Sequence, residues 1–391
     1  MAFDLDRARR ETPGCERVAH FNNAGSALMP RPVIDAVYSH LELEANIGGY
    51  EAKERNLESV ERVYDALAAM LNCRRDEIAV IENATRAWDM AFYSIGFKPG
   101  DRILTAVSEY ASNYIAYLQV ARKTGAIVEV IPDDEHGQVS VNALKNRLDN
   151  RVRLISITHV PTNNGLVNPA AVVGAVAREA GILYLLDACQ SAGQLPLDVE
   201  EIGCDILSGT GRKYLRGPRG TGFLYVRREL IERLEPPFLD LHAAELVGKN
   251  EYKIRPDARR FENWETNYAA KIGLGVAVDY ARSWGLDTLW ERTRGLGGAL
   301  RSRLSEIPQI EIRDSGLERC GIVCFTVEGK APQEIRSALN AKGINVWVSA
   351  PQDSRLEHDV QGMPEFVRAS VHYYNSEDEI DRLVAALGSI I

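Results

Sequence analysis

Apolar side chains recur at helical spacing between residues 32 and 72. In 56–72 the residues Leu57, Val60, Tyr64, Leu67 and Leu71 fall three or four apart, on one face of a helix, and 32–45 carries a similar stripe. Beyond this the period changes. Short β-rich runs alternate with helical stretches: "EIAVIEN", "RILTAVSEY", "AIVEVIPDD", "RLISITHV", "ILYLLDAC", "DILSGT" and "TGFLYV". Several are apolar throughout, as suits strands covered on both faces. The alternation predicts an α/β domain with a largely parallel sheet.

From about residue 268 the pattern changes to one long helical stretch, "NYAAKIGLGVAVDYARSWGLDTLWERTRGLGGALRSRLSEI". After it come the β-like runs "GIVCFTVEG", "INVWVSA" and "EFVRASVHYY" and a closing helix from about 376. This order predicts a large domain over 16–267 and a smaller α+β domain over 268–391, joined by residues 1–15. The proline and charges of "SAPQDSRLEHD" predict an exposed loop that closes over substrate.

Composition narrows the class. The 391 residues suffice for two domains, and 45% hydrophobic with 26% charged residues is ordinary for a globular enzyme. A net charge of −9 without a long basic run argues against nucleic acid as a partner. The start, "MAFDLDRARRETPGCERVAH", has no apolar core for a secretory signal, and no apolar run reaches membrane-spanning length, so a cytoplasmic location is expected. Cys15, Cys73, Cys189, Cys204, Cys320 and Cys324 are scattered without CxxC spacing, which predicts neither disulfides nor a metal site.

Candidate chemistry sits at the ends of the predicted strands, outside which open α/β sheets bind ligands. There stand Asn83-Ala84-Thr85-Arg86, Glu109-Tyr110, Thr162-Asn163-Asn164, Asp187-Ala188-Cys189-Gln190 and Thr210 with Arg212-Lys213. Lys213 lies among Arg212, Arg216 and Arg219, and each positive neighbour lowers a lysine's pKa. Such a lysine can form a Schiff base with a carbonyl. Asp187 can hold a protonated pyridine nitrogen, with Gln190 near a ring substituent. Ala84-Thr85-Arg86, ahead of a predicted helix, offers N–H groups to a phosphate, and Thr210 and Arg212 add donors. An aldehyde, a pyridine nitrogen and a phosphate together mean pyridoxal phosphate.

Each residue also has a structural alternative. Taken alone, Lys213 reads as a solvated loop residue and Arg368 as an edge-strand arginine paired with a glutamate; Asp187 has the alternative of a helix cap and Tyr110 of a core aromatic. His159 and His372 read as structural histidines, and Arg216 and Arg219 as residues holding the loop or a dimer contact.

The order "NAT…SEY…THV…DACQ…TGRK…FE…VRAS" resembles the class V aminotransferase superfamily of pyridoxal-phosphate enzymes, over nearly the whole chain. The group includes cysteine desulfurases, isopenicillin N epimerase-like proteins and the carbon–sulfur lyase of ergothioneine synthesis. The resemblance implies fold type I, with a mostly parallel seven-stranded sheet, and a homodimer with active sites at the subunit interface. It gives Lys213 as the Schiff-base lysine, Asp187 as partner of the pyridine nitrogen and Gln190 beside the phenolic oxygen. Ala84, Thr85, Thr210 and Arg212 bind the phosphate, and Tyr110 replaces the histidine that stacks on the ring in desulfurases. Thr162 or Asn163 takes the place of the desulfurase asparagine at the cofactor. Arg368 grips the substrate's α-carboxylate, Ala24 and Gly25 border the substrate with Tyr50, and Thr266 is a candidate phosphate contact across the dimer.

One departure separates subfamilies. A desulfurase needs a cysteine on the loop before its carboxylate-binding arginine, and "NVWVSAPQDSRLEHDVQGMPEFVR" has none. Desulfuration is therefore disfavoured. Lyase, epimerase and aminotransferase outcomes all need only the cofactor and a proton-transfer lysine. The segments "LELEANIGGYEA" and "THVPTNNGLVNP" resemble the ergothioneine-type lyases and epimerase-like proteins, and β-elimination from a cysteine-derived substrate is the favoured expectation.

Overall fold

The computed structural model describes residues 3–391. All seven β-rich runs of the first half become strands of one sheet: β1 (Ile78–Ile81), β2 (Arg102–Ala106), β3 (Ile127–Ile131), β4 (Val152–Thr158), β5 (Leu183–Asp187), β6 (Ile206–Thr210) and β7 (Gly222–Val226). Their spatial order is β1-β7-β6-β5-β4-β2-β3. Only β7 runs against the others, pairing antiparallel with β1 and β6. Six carboxyl ends therefore share one edge. Chain order reverses between β2 and β4, and a crevice forms at such a switch point.

Adjacent residues on each strand face opposite layers, which explains the uninterrupted apolar runs. Leu104, Ile155, Leu186, Leu207 and Tyr225 join one core with Tyr64, Leu67 and Val173, whereas Ile103, Leu154, Leu185, Ile206 and Leu224 join another with Trp88, Phe92 and Tyr117.

Past residue 285 a second, antiparallel sheet forms, ordered Ile310–Ile312, Ile322–Val327, Phe366–Ser370, Trp347–Ser349. Its core takes Leu296, Leu300, Ile335, Leu339, Ile380 and Leu383 from three helices, the last being the closing helix Glu377–Gly388. The single stretch expected after residue 268 is two helices, Tyr268–Trp284 and Leu286–Ser305, separated by Gly285 at φ 81°. The first packs its Leu274, Val278 and Ala281 into the core of the large sheet, although it begins where the small domain was drawn. Ala19–His20 pairs in parallel with Ile344–Asn345, tying the N-terminal segment to the far end of the chain.

Two further elements carried no sequence expectation or the wrong one. A hairpin, Ala244–Gly248 with Glu251–Ile254, projects Leu246, Val247 and Tyr252 to the surface. The segment expected as an exposed loop instead folds into a helix, Arg355–Gln361, that buries Ser354, Glu357 and His358. Among the described residues no helix is long and apolar enough to cross a membrane.

Candidate active site

Strand β5 ends in Asp187, whose backbone and side chain organise the centre. Its Oδ1 accepts the Cys189 N–H (2.9 Å) and its Oδ2 accepts from Asn113 Nδ2 (3.0 Å). The same amide nitrogen donates to Glu109 Oε1 (2.9 Å), just beyond β2. Glu109 is fully buried and also accepts from Thr105, Thr158, Tyr117 and the Tyr110 N–H. Burial and the nearby Asp187 raise its pKa, against the pull of its hydroxyl and amide donors. The sequence placed Glu109 at a strand end but gave it no role, and did not mark Asn113, which follows Glu109 by four positions in "SEYASN", one helical turn away.

Lys213 lies beyond β6, and burial, more than neighbouring charge, lowers its pKa to about 8. Arg212 and Arg368 push the same way, and Cys189 and Asp187 oppose them. The arginine cluster thus acts differently from its sequence appearance. Arg216, at φ 61°, turns away to bond the Leu28 carbonyl, the Tyr373 hydroxyl and Thr12, under the rings of Tyr373 and Tyr374. It locks the loop.

The anion end is built at the start of the helix Ala84–Phe92, where Asn83 Oδ1 caps the Arg86 N–H (2.9 Å) and Thr85 is exposed. Gly222 is required beside it, because a Cβ there would lie 2.5 Å from the Asn83 carbonyl carbon and 2.7 Å from the Ala84 nitrogen. Thr210 is buried next to it, its hydroxyl 3.4 Å from the Thr221 carbonyl. Arg212 spends its Nη1 on the Gly25 carbonyl, so it joins the lysine segment to the loop 22–28.

That loop is held from three sides. Gln190 Nε2 donates to the Ala24 carbonyl (3.0 Å), Ala24 N donates to Ser370 Oγ (2.9 Å), and Ser370 lies two residues past Arg368. Arg368 itself donates from Nη1 to both the carbonyl (3.0 Å) and the hydroxyl (2.6 Å) of Thr162. Thr162 therefore braces the arginine. Asn163 accepts from Ser349 through Oδ1, and Asn164 donates to Glu357. Burial lifts the Glu357 carboxyl to about 8, with Asp133 acting in the same direction. No sequence signal marked Glu357, because its burial comes from chain packing 190 residues away in sequence from its partners.

Tyr110 opens the helix Ala111–Thr124 and is 36% exposed, with Asp353 of the closing segment bearing electrostatically on both it and Arg368. Tyr50 and Thr266 stand apart from this group. They line a cleft of about 590 Å³ with Thr221, Trp264 and Lys271, which Lys213, Asp187 and Arg368 do not reach. His372 is satisfied by the Tyr214 carbonyl and the Tyr373 N–H, in keeping with a structural role.

Gln190 Oε1 and Arg368 Nε are buried in this cluster without a partner. A buried polar atom left unpaired costs about 1–3 kcal/mol, so a polar ligand belongs here. A lysine of low pKa, a carboxylate at a strand end and a helix N-terminus match the aldehyde, ring nitrogen and phosphate of pyridoxal phosphate. The residues fit that group.

Residues 19–383 match the model of the class-V aminotransferase family. The chain is 30% identical over 387 residues to a probable cysteine desulfurase of Synechocystis, covering 96% of this chain and 91% of the relative. Among solved structures it is similar to an Escherichia coli cysteine desulfurase (TM-score 0.92, 22% identity, 100% of this chain and 98% of that one). It is also similar to a cystine C–S lyase solved with cysteine persulfide (TM-score 0.86, 24% identity, 96% and 98%). The chain belongs to the class-V aminotransferase family and has its fold type I architecture. It is a pyridoxal-phosphate-dependent enzyme.

Proposed function

We propose that this enzyme is a carbon–sulfur lyase that eliminates a sulfur leaving group from the β-carbon of a cysteine-derived amino acid. The observation carrying this is the state of its thiols. The segment from Trp347 to Arg368, where a desulfurase needs its nucleophile, holds no cysteine. Cys189, beside Lys213, is kept a thiol by burial and Asp187, and Cys324, opposite Arg368 in the sheet, is buried likewise. No thiolate stands ready to attack sulfur.

When bound, pyridoxal phosphate supplies an electron sink for a carbanion at the substrate's α-carbon. Asp187 would hold the ring nitrogen, Gln190 the phenolic oxygen, and the N–H groups at Ala84-Thr85 with Thr210 the phosphate. Tyr110 would supply the aromatic face to the ring. Arg368, braced by Thr162, clamps the substrate carboxylate and so fixes which bond at the α-carbon faces Lys213. The Lys213 amine would take the α-proton; the electron pair of that C–H bond becomes the second bond between Cα and Cβ, and the sulfur group leaves with the pair of the broken Cβ–S bond. The helix Arg355–Gln361, docked through Glu357, screens this from water.

We further propose a homodimer in the cytoplasm, a compartment in which six unpaired thiols persist. In it Tyr50, Trp264 and Thr266 of one subunit approach the phosphate end of the other. Trp264, 51% exposed here, would be covered.

The test is product identification with a panel of S-substituted cysteines and their sulfoxides. Equal pyruvate and ammonia, lost in Lys213→Ala, are expected. Alanine with persulfide would instead mean desulfuration, substrate returned with solvent hydrogen or inverted configuration an epimerase, and a keto acid retaining its side chain an aminotransferase.

A further inference from the structure

The pyridine-nitrogen partner Asp187 is not alone. One amide nitrogen, Asn113 Nδ2, lies 3.0 Å from Asp187 Oδ2 and 2.9 Å from Glu109 Oε1, so each of its two hydrogens serves a different carboxyl group. Asn113 is held to this task because Glu109 cannot move. Glu109 accepts from Thr105 (2.8 Å) on β2, Thr158 (2.6 Å) on β4, Tyr117 (3.1 Å) on its own side helix and the Tyr110 N–H (2.8 Å). Thr105 and Thr158 belong to β2 and β4, which flank the switch point, and Asp187 ends the strand next to β4.

We infer that Glu109 is a positioning residue for the cofactor, acting through Asn113 to orient Asp187 and to add negative potential behind the pyridine nitrogen. The inference rests on the cofactor and on the Asp187 assignment, and stands whichever substrate the enzyme takes.

Two physical arguments support it. A buried acid is costly, and the chain would do better with an amide or a hydrophobe at 109 unless the charge is used. Secondly, a full set of donors around Glu109 compensates that cost while leaving one of them, Asn113, shared with the functional aspartate. The titratable groups seen facing Glu109 are Tyr117, from the helix that follows it, and Asp187, from β5; its other hydrogen-bond donors Thr105, Thr158, Asn113 and the Tyr110 N–H are neutral. With two carboxyl groups sharing one amide in a dry interior, a cation beside Asp187 is favoured, and a protonated ring nitrogen is such a cation.

Glu109→Gln keeps size and an accepting oxygen for Tyr110 N, Thr158 and Asn113, and removes the charge. Two readouts separate positioning from scaffolding: the dissociation constant of pyridoxal phosphate from the apoprotein, by tryptophan fluorescence, and the pH at which the bound cofactor's visible absorbance titrates. Loss of ring-nitrogen protonation makes the Lys213-linked nitrogen more basic, so the titration moves upward. We expect an upward shift of about half a pH unit or more and cofactor binding weakened about tenfold. Asn113→Ala shifts both in the same direction, and the double variant no further than the larger single effect. Apoprotein thermal melts check folding; if Glu109→Gln does not fold, Asn113→Ala carries the test by itself. Unchanged titration and binding in the folded variants, or fully additive effects, would overturn the inference. Neither readout involves amino-acid substrate, so a failed lyase assay leaves this test standing.

Discussion

Arg368 and Thr162 are joined twice, the arginine's Nη1 donating to both the carbonyl and the hydroxyl of the threonine. The two lie 206 residues apart and come from the antiparallel sheet and from the loop after β4. This contact ties Arg368 of the small sheet to the carboxyl edge of the large one.

Thr162→Val removes the hydroxyl and keeps the carbonyl. Its expected effect is a KM for the amino acid raised about tenfold, with cofactor affinity unchanged, because one charge-assisted hydrogen bond is worth about 1.5 kcal/mol or more. Arg368→Ala raises KM further, by roughly 10²-fold. Steady-state kinetics paired with cofactor titration measure both, and weakened cofactor binding in Thr162→Val would return that residue to the cofactor.

Lys213 reacts with an aldehyde only as the neutral amine. With its pKa lowered to about 8, the neutral fraction rises about tenfold with each pH unit until that value is reached. The rate at which apoprotein captures pyridoxal phosphate, followed by visible absorbance, therefore climbs between pH 6 and about 8 and levels off above. An ordinary exposed lysine would still be climbing at pH 10.

Glu357 has its carboxyl raised to about 8 by burial. Its folded-state pKa lies above its unfolded one, so the folded chain holds a proton that the unfolded chain has lost. Stability from this group is fully present below the ordinary carboxyl range and declines as pH rises toward 8. Glu357→Gln removes the penalty. Its melting temperature should exceed the parent's at pH 8, by the equivalent of about 1–3 kcal/mol, with little gain at pH 5. Equal shifts at both values would show that the proton is irrelevant.

Gly222→Ala drives a Cβ into the backbone at Asn83 and Ala84. Overpacking of this kind costs about 1–3 kcal/mol, and it displaces the first turn that would hold phosphate. Both thermal stability and cofactor affinity should fall, whereas Gly220→Ala, at φ 81° with nothing within 4 Å of the added carbon, should lower stability by about 1 kcal/mol and spare the affinity.

Much of the large domain was legible in the chain. Fully apolar runs of strand length require a sheet covered on both faces, and their polar ends require a shared edge once the strands are parallel. That logic placed Lys213, Asp187, Gln190, Thr210 and the Ala84 turn at one edge, through local pattern and motif order. It did not place Glu357, and it put Thr162 at this edge without its contact to Arg368. The burial of Glu357 depends on Asn164, and the bracing role of Thr162 depends on Arg368, and no periodicity encodes contacts between residues about 200 positions apart. The same holds for Lys213. Sequence showed its arginine neighbours, but the drop in its pKa comes mainly from being enclosed, and Arg216 is carried away by three hydrogen bonds. Sequence determined the elements and the chemical groups, because both are set by short-range pattern. Tertiary packing alone decided which groups share a proton, a partner or a dry environment, because those depend on distance and desolvation.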